Sequence, residues 1–271
     1  MDSLARTLQA RYIFPDLART IANSLPARSG RGELGRASSL ESWADSLTAA
    51  MRAVSHDKHL HIWLQPDRDS LDERRRRQLE RAEQALEGRR TNYGFQRVER
   101  LRGNVGYLDV RAFWDPAEAK ARDAATTAMQ FLANTDALII DLRENHGGHP
   151  NMVAYLASYL LGEQPVHINS FVWREANRMR TVESWTRRRV PGRRYGTEKP
   201  LWVLTSGDTF SGGEEFAYDL QTQRRGTLVG EPTGGGANPG DPFPLGHGFM
   251  AFIPTGRAVN RSPEPTGRGW V

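Results

Sequence analysis

The stretch TSGDTFSGGEE, residues 205–215, contains a candidate nucleophile. Ser211 follows the apolar run LWVLTS and precedes the helical pattern GGEEFAYDL, so a serine is predicted where a strand passes into a helix. Free N–H groups and the helix dipole stabilise negative charge at that point, which suits nucleophilic chemistry. Helix capping is the alternative role, and Glu214 has the spacing of a capping box with Ser211.

A glycine pair marks a second candidate loop, in LIIDLRENHGGHPN. Gly147 and Gly148 follow a short apolar run of the kind buried in a parallel sheet. Glycine permits unusual backbone angles and close approach, so N–H groups of this loop could point into a cavity. An ordinary tight turn is the alternative, with Asp141 and Arg143 anchoring it through an ion pair.

Histidines are concentrated in a third stretch, SHDKHLHI, with His56, His59 and His61. Imidazoles are common metal ligands, but the helical two-histidine spacing with a glutamate base is missing here. The G-x-S-x-G elbow of α/β-hydrolases is also missing from the sequence. The residues alone therefore predict a serine hydrolase of another kind, with no metal and no cofactor.

The composition limits the classes of protein to which this chain can belong. The chain has 271 residues, no cysteine and a formal net charge of +5. Arginine runs at residues 74–77 and 187–194 invite a nucleic-acid interpretation, but acids three and four residues from the first run favour a solvated, ion-paired helix. We expect no nucleic-acid partner. No apolar run approaches a membrane span and the first residues lack a secretory signal pattern, so we expect a cytoplasmic protein without membrane contact.

The order of predicted elements indicates three segments. Residues 1–64 form an N-terminal helical domain, in which Pro15 starts a second helix and Ser38 or Ser39 caps a third. Residues 65–100 hold a connecting helix. Residues 101–271 alternate strands and helices, which predicts an α/β core with a mainly parallel sheet.

Six sequence blocks resemble the C-terminal-processing (tail-specific) and tricorn-type serine peptidases, in the branch containing interphotoreceptor retinoid-binding protein. The resemblance implies a ClpP/crotonase-like core, a small N-terminal helical domain and Ser211 as nucleophile. It also implies an oxyanion hole formed by the Gly147–Gly148 loop with the N–H of Ser211 or Gly212. The blocks are YIFPDLARTIANSL, AMRAVSHDKHLHI, GNVGYLDVRAF, ALIIDLRENHGG, PLWVLTSGDTFSGGEEFAY and LVGEPTGGGANP.

The resemblance also indicates which residue would act as the general base for Ser211. Tail-specific relatives use a lysine shortly after the nucleophile, but no lysine follows Lys199. The tricorn branch uses a histidine of the N-terminal block, which matches His59, although Lys58 replaces the serine that precedes it there. The family also has a glutamate that orients the histidine. That role is assigned here to Glu264, although Thr266 occupies the aligned position. Glu231 and Asp241 are weaker substitutes, and no PDZ domain is expected.

The resulting hypothesis is a serine hydrolase, in the first instance a peptidase, that uses Ser211 and His59. Glu214, Asp141 and Arg143 support the site. The alternative is a degenerate or repurposed homologue that binds a hydrophobic small molecule or acts in small-molecule biosynthesis. Under the two hypotheses together, the expected substrate is a peptide or a small molecule. The sequence leaves open whether the chain forms a homo-oligomer.

Overall fold

The computed structural model describes residues 1–34, 38–65, 72–175, 178–236 and 238–259. The helices are α1 (Asp2–Arg11), α2 (Pro15–Gly30), α3 (Leu40–Ser55), α4 (Glu73–Arg90), α5 (Ala119–Leu132), α6 (Pro150–Leu160) and α7 (Gly212–Thr222). The strands are β1 (His61–Leu64), β2 (Phe95–Leu101), β3 (Val105–Val110), β4 (Ala137–Asp141), β5 (His167–Glu175), β6 (Arg178–Trp185), β7 (Leu201–Thr205), β8 (Thr227–Gly230), β9 (Gly240–Gly246), β10 (Phe249–Pro254) and β11 (Gly256–Ala258).

The chain forms two compact units. The first contains Met1–Glu80, Phe171–Val182 and Asn238–Val259, and the second contains Arg81–Ser170 and Glu183–Ala237. Each unit has its own apolar core. No helix of the described residues is both long and apolar enough to cross a membrane.

In the first unit, α1, α2 and α3 pack their apolar stripes together. Pro15 occupies the first turn of α2, as predicted, because its missing N–H needs no partner there. Ser39 caps α3 by accepting a hydrogen bond from the Ser42 N–H at 3.2 Å. The helix core includes Leu8 and Tyr12, both 0 % exposed, and continues onto an antiparallel sheet of order β1-β10-β9. A second sheet has the order β11-β5-β6.

In the second unit, a five-stranded sheet has the order β2-β3-β4-β7-β8. Strands β3, β4, β7 and β8 pair in parallel, while β2 pairs antiparallel with β3. The predicted mainly parallel α/β core is therefore confirmed. Parallel neighbours end at one edge of a sheet, so the loops that follow β4 and β7 start side by side. These loops carry Gly147, Gly148 and Ser211.

Candidate active site

Ser211 has a backbone conformation that side chains seldom adopt. Its φ of 54° and ψ of −119° lie outside the broad β and α regions, at the position immediately before α7. Conformations of this kind cost about 1–3 kcal/mol and persist where the surroundings impose them, often at functional sites. A simple helix cap usually has extended angles, as Ser39 has with φ −148° and ψ 168°. The geometry at Ser211 therefore favours the nucleophile interpretation.

Glu214 imposes that conformation. Its carboxylate is completely buried and accepts four hydrogen bonds. Oε2 accepts from the N–H groups of Ser211 at 2.8 Å and Gly236 at 2.7 Å. Oε1 accepts from the Thr233 hydroxyl at 2.7 Å and the Gly235 N–H at 2.6 Å. The glutamate thus ties the serine backbone to the loop after β8, which goes beyond the capping role that its spacing predicted.

The glycine pair lies directly against the serine. Gly147 has φ +100°, and a Cβ atom placed on it would come within 2.6 Å of the Ser211 Cβ. A Cβ on Gly148, φ +135°, would lie 2.1 Å from the Phe113 carbonyl oxygen, and one on Gly212 would lie 3.2 Å from the Gly148 nitrogen. The contacts under 3.0 Å and the positive φ angles at Gly147 and Gly148 require glycine at those two positions, and Gly212 leaves little room for a side chain. The two loops predicted from sequence are therefore brought together.

Asn145 fixes the glycine loop, and the sequence analysis did not single it out. Its side chain is fully buried, accepts from the Gly147 N–H at 2.9 Å and donates to the Val110 carbonyl at 2.8 Å. Its own carbonyl accepts from the Phe210 N–H at 2.9 Å, next to the serine. Across the described part of the chain, the N–H groups of Gly148 and Gly212 have no hydrogen-bond acceptor. Two free donors therefore lie beside Ser211.

Asp141 and Arg143 form the ion pair predicted at the start of this loop, with 2.6 Å between Oδ2 and Nη2. The Tyr107 hydroxyl also donates to Asp141 at 2.6 Å. Burial alone would raise the pKa of Asp141, but the hydrogen bonds from Arg143 and Tyr107 hold that pKa below its ordinary value. Burial and the Asp141 carboxylate together raise the pKa of Tyr107 to about 12. The pair is an anchor for the loop after β4.

The histidine block belongs to the first unit. His59 is 7 % exposed, and burial lowers its pKa to about 4 despite the opposing charge of Asp57. The Asp57 Oδ1 lies 3.9 Å from the His59 Nδ1 and accepts from the His59 backbone N–H at 3.0 Å. Asp57 also accepts from the Tyr12 hydroxyl at 3.1 Å and the Asn238 amide at 3.0 Å. His59 is therefore a neutral imidazole above acidic pH.

The other histidines have local roles. His56 ends α3 with a left-handed φ of 55°, and the His61 Nδ1 lies 2.8 Å from the His59 carbonyl oxygen. Asp57, two residues before His59, was not singled out from the sequence, although its spacing was visible there. Glu264, the predicted orienting acid, lies outside the described residues. Of the weaker substitutes, Glu231 follows β8 and Asp241 accepts from the Thr255 hydroxyl at 3.2 Å.

A cavity of about 650 Å³ adjoins the glycine loop within the second unit. Gly148, Phe113 and Trp114 contribute to its lining. Glu87 and Thr91, near the carboxyl end of α4, also line it. Its volume is within the range of small-ligand pockets, and it reaches the glycine whose N–H is free.

Comparison with known proteins identifies the family. The profile of peptidase family S41 matches residues 104–268, more than half of the chain. The chain belongs to peptidase family S41. The profile of the N-terminal domain of peptidase S41 in eukaryotic IRBP matches residues 1–91. The resemblance inferred from the sequence blocks is therefore confirmed over both parts of the chain.

Individual relatives of this S41 chain agree with the assignment. A carboxyl-terminal-processing protease of Synechocystis is 33 % identical over 134 residues, which cover 49 % of this chain and 28 % of that protein. The chain thus matches less than a third of the length of this curated relative. A solved structure of a Parabacteroides merdae protein has a TM-score of 0.63 at 15 % identity, covering 98 % and 84 % of the two chains. The tricorn protease structure has a TM-score of 0.55 at 12 % identity, covering 94 % and 31 %. These two structures support the fold.

The S41 core also contains two buried acidic side chains just after the nucleophile loop. Glu215 and Asp219, one turn apart on α7, are 7 % and 0 % exposed. Glu215 Oε1 and both Asp219 carboxylate oxygens lack hydrogen-bond partners in the described part of the chain, as does the buried Asn169 amide nitrogen. Burial raises the pKa of Glu215 to about 8, and burial next to Glu215 raises that of Asp219. At neutral pH the pair therefore keeps bound protons.

This pair predicts a stability that falls as the pH rises. The unfolded chain loses the Glu215 proton near pH 4.5, while the folded chain keeps it to about pH 8, so the free energy of unfolding decreases between those values. Glu215→Gln removes the ionisable group, and its melting temperature should exceed that of the wild type by about 5 °C at alkaline pH. At acidic pH the two proteins should melt together, as thermal unfolding across the pH range would measure.

The matched control is Glu163→Gln, the same change at an exposed glutamate of the same unit. It should follow the wild type at every pH because the Glu163 side chain is exposed in the folded chain, as it is in the unfolded one. A Glu215→Gln difference that is constant with pH would contradict the buried protonated pair.

Proposed function

We propose that the chain is a serine hydrolase acting on peptide bonds, with Ser211 as nucleophile and His59 as general base. The Ser211 Oγ attacks the carbonyl carbon and its proton passes to His59. The resulting oxyanion accepts hydrogen bonds from the N–H groups of Gly148 and Gly212. When the intermediate collapses, the C–N bond breaks and His59 returns the proton to the leaving amine. Water then hydrolyses the acyl-enzyme by the same route.

The observation that carries this proposal is the strained serine beside two N–H donors that have no acceptor among the described residues. The Ser211 N–H already donates to Glu214 and the Gly147 N–H to Asn145, which leaves Gly148 and Gly212 as donors for the oxyanion. Gly147 contributes by lacking a side chain where the Ser211 Cβ passes. The bond from the Ser211 N–H to Glu214 is also half of a capping box, but a capping serine needs neither the strained backbone nor two free donors beside it.

His59 is assigned as base from the family resemblance and from its neutral state. Ser211 belongs to the second unit and His59 to the first, so the pairing is tested below by kinetics. Asp57 holds the His59 backbone and places a carboxylate on the Nδ1 side of the ring. The assignment of Glu264 as orienting acid stays a prediction.

Covalent labelling by a small fluorophosphonate tests the nucleophile. We expect one adduct on the wild type by intact mass, mapped to Ser211 by peptide sequencing and lost in Ser211→Ala. Ser206→Ala is the matched control because this serine lies in the same loop and donates to the Arg143 carbonyl at 2.5 Å. It should keep the adduct. No adduct on the folded wild type would overturn the hydrolase proposal and favour ligand binding.

The labelling rate should retain its full value to unusually low pH. His59 must be neutral to accept a proton, and burial lowers its pKa to about 4, against an ordinary value of about 6.5. The acidic limb of the second-order labelling rate should therefore have its midpoint near pH 4. A midpoint between about 6 and 7 would argue against a buried His59 as the base.

Unfolding must be separated from this effect. The unfolded chain binds a proton at His59 near pH 6.5 and the folded chain only near pH 4. The free energy of unfolding therefore also decreases as the pH is lowered from about 6.5 to about 4. Circular dichroism at each pH identifies the folded range. His59→Ala should label slowly throughout that range, and a variant rate equal to the wild-type rate would exclude His59 as base.

A further inference from the structure

A second cavity, of about 810 Å³, lies wholly within the first unit. Four arginines and two aromatic rings contribute to its lining. Its volume is typical of ligand pockets and far exceeds that of a packing defect. The residues are Arg11, Arg174, Arg178, Arg180, Trp173 and Phe243.

The positive charge in this cavity is only partly balanced. Arg180 pairs with Glu175 at 3.2 Å. The Arg174 guanidinium donates to the carbonyl oxygens of Tyr12 at 2.6 Å and Gln9 at 2.9 Å, which fix its position without neutralising it. The remaining acid of the lining, Asp241, accepts from a threonine hydroxyl.

The other two arginines also have no ion pair within the described ranges. Arg11 lies over the Phe243 ring, with its guanidinium carbon 5.6 Å from the ring centroid. Arg178 is exposed on β6. A guanidinium presented over an apolar floor binds a carboxylate well, since its planar donors match the two oxygens.

Strand β6 adds a row of backbone groups. It is the edge of the β11-β5-β6 sheet, and in the first unit its residues 178–182 are all exposed. Arg178, Arg180 and Val182 alternate along it and line the cavity, as the two-residue period of a strand requires. An unpaired edge can accept a further strand, whose side chains would stand opposite those of β6.

We propose that this surface binds an extended acidic peptide segment by adding it as a strand to β6. The peptide backbone would pair with the free edge, and acidic side chains at alternate positions would meet Arg178 and Arg180. The inference that the bound peptide is a substrate rests on the proposed peptidase function. Binding itself does not require catalysis.

Fluorescence anisotropy with the Ser211→Ala protein tests binding without hydrolysis. The probe is a labelled peptide of about eight residues, the length of a long strand, with glutamate alternating with valine. We expect saturable binding that weakens as salt rises, and at least about tenfold weaker binding when glutamine replaces glutamate. The double variant Arg178→Gln, Arg180→Gln should show a similar loss.

Arg188→Gln, Arg189→Gln is the matched control, since it removes the same charge from exposed positions of the second unit. It should bind the peptide as its parent does. Equal binding of the glutamate and glutamine peptides, no binding of either, or tighter binding of single-stranded DNA of equal charge would each overturn the proposal. Because binding is measured without Ser211, its failure leaves the labelling result unaffected, and the reverse also holds.

Discussion

Ser211→Gly should abolish hydrolysis and at the same time make the protein more stable than Ser211→Ala. Both variants lose the hydroxyl, and loss of a serine nucleophile lowers turnover by about 10⁴-fold or more. They differ in the backbone. Alanine keeps the cost of φ 54° and ψ −119°, about 1–3 kcal/mol, whereas glycine adopts such angles freely.

Part of that gain is offset by the larger conformational freedom of glycine in the unfolded chain, about 0.4–1 kcal/mol. A net gain of about 1 kcal/mol corresponds to a melting temperature about 2–4 °C above that of Ser211→Ala. Thermal unfolding of the two inactive variants measures it. Ser39→Gly against Ser39→Ala is the control, because Ser39 is an unstrained, extended N-cap and measures only the preference of a cap for glycine over alanine; the gain of the Ser211 pair should exceed it. Equal stability of the Ser211 pair would show that the backbone there is unstrained.

The local signals in the sequence were sufficient for the central sheet and for the position of the nucleophile. ALIID and LWVLT are continuous apolar runs, and both form strands of the parallel sheet, although buried residues alternate in them with half-buried ones and with the exposed Trp202. The sequence predicts Ser211 between a strand and a helix because a continuous apolar run precedes it and a helical pattern follows it. Those features depend on residues close together in the chain, which is why a single sequence reveals them.

Other elements were not predicted because their sequences argue against them. Strand β9 contains Pro242 and Pro244, which normally exclude a strand, yet it is accommodated at the edge of its sheet, where a missing N–H matters less. The first unit also gathers Phe171–Val182 and Asn238–Val259 from far along the chain. No periodic pattern signals such long-range association.

The chemistry of the carboxylates also depended on the three-dimensional structure. Glu214 and Glu215 are adjacent and look alike in the sequence, but the helix turns them toward different surroundings. Glu214 accepts four hydrogen bonds, and Glu215 is buried among groups that leave Oε1 without a donor. Adjacent positions on a helix differ by about 100°, so the identity of the residue alone could not distinguish the two roles.

Glu214→Gln should destabilise the protein and slow the labelling of Ser211. An amide replaces one acceptor oxygen by a donor, while four donors still face the side chain. With the new nitrogen on the Oε1 side, the Thr233 hydroxyl can rotate to accept, but the Gly235 N–H loses its acceptor. With the nitrogen on the other side, the N–H groups of Ser211 and Gly236 lose theirs.

Either orientation leaves at least one buried donor unpaired, at a cost of about 1–3 kcal/mol, and removes the charge that strengthened the remaining bonds. We expect a melting temperature lower by about 5 °C and, because Ser211 loses its anchor, labelling slower by at least about tenfold. Thermal unfolding and the fluorophosphonate rate measure the two effects. Glu215→Gln provides the sharpest control, since the same substitution one residue along the helix should raise the alkaline melting temperature. If both substitutions changed stability in the same direction, the distinction between an anchoring carboxylate and a protonated one would be wrong.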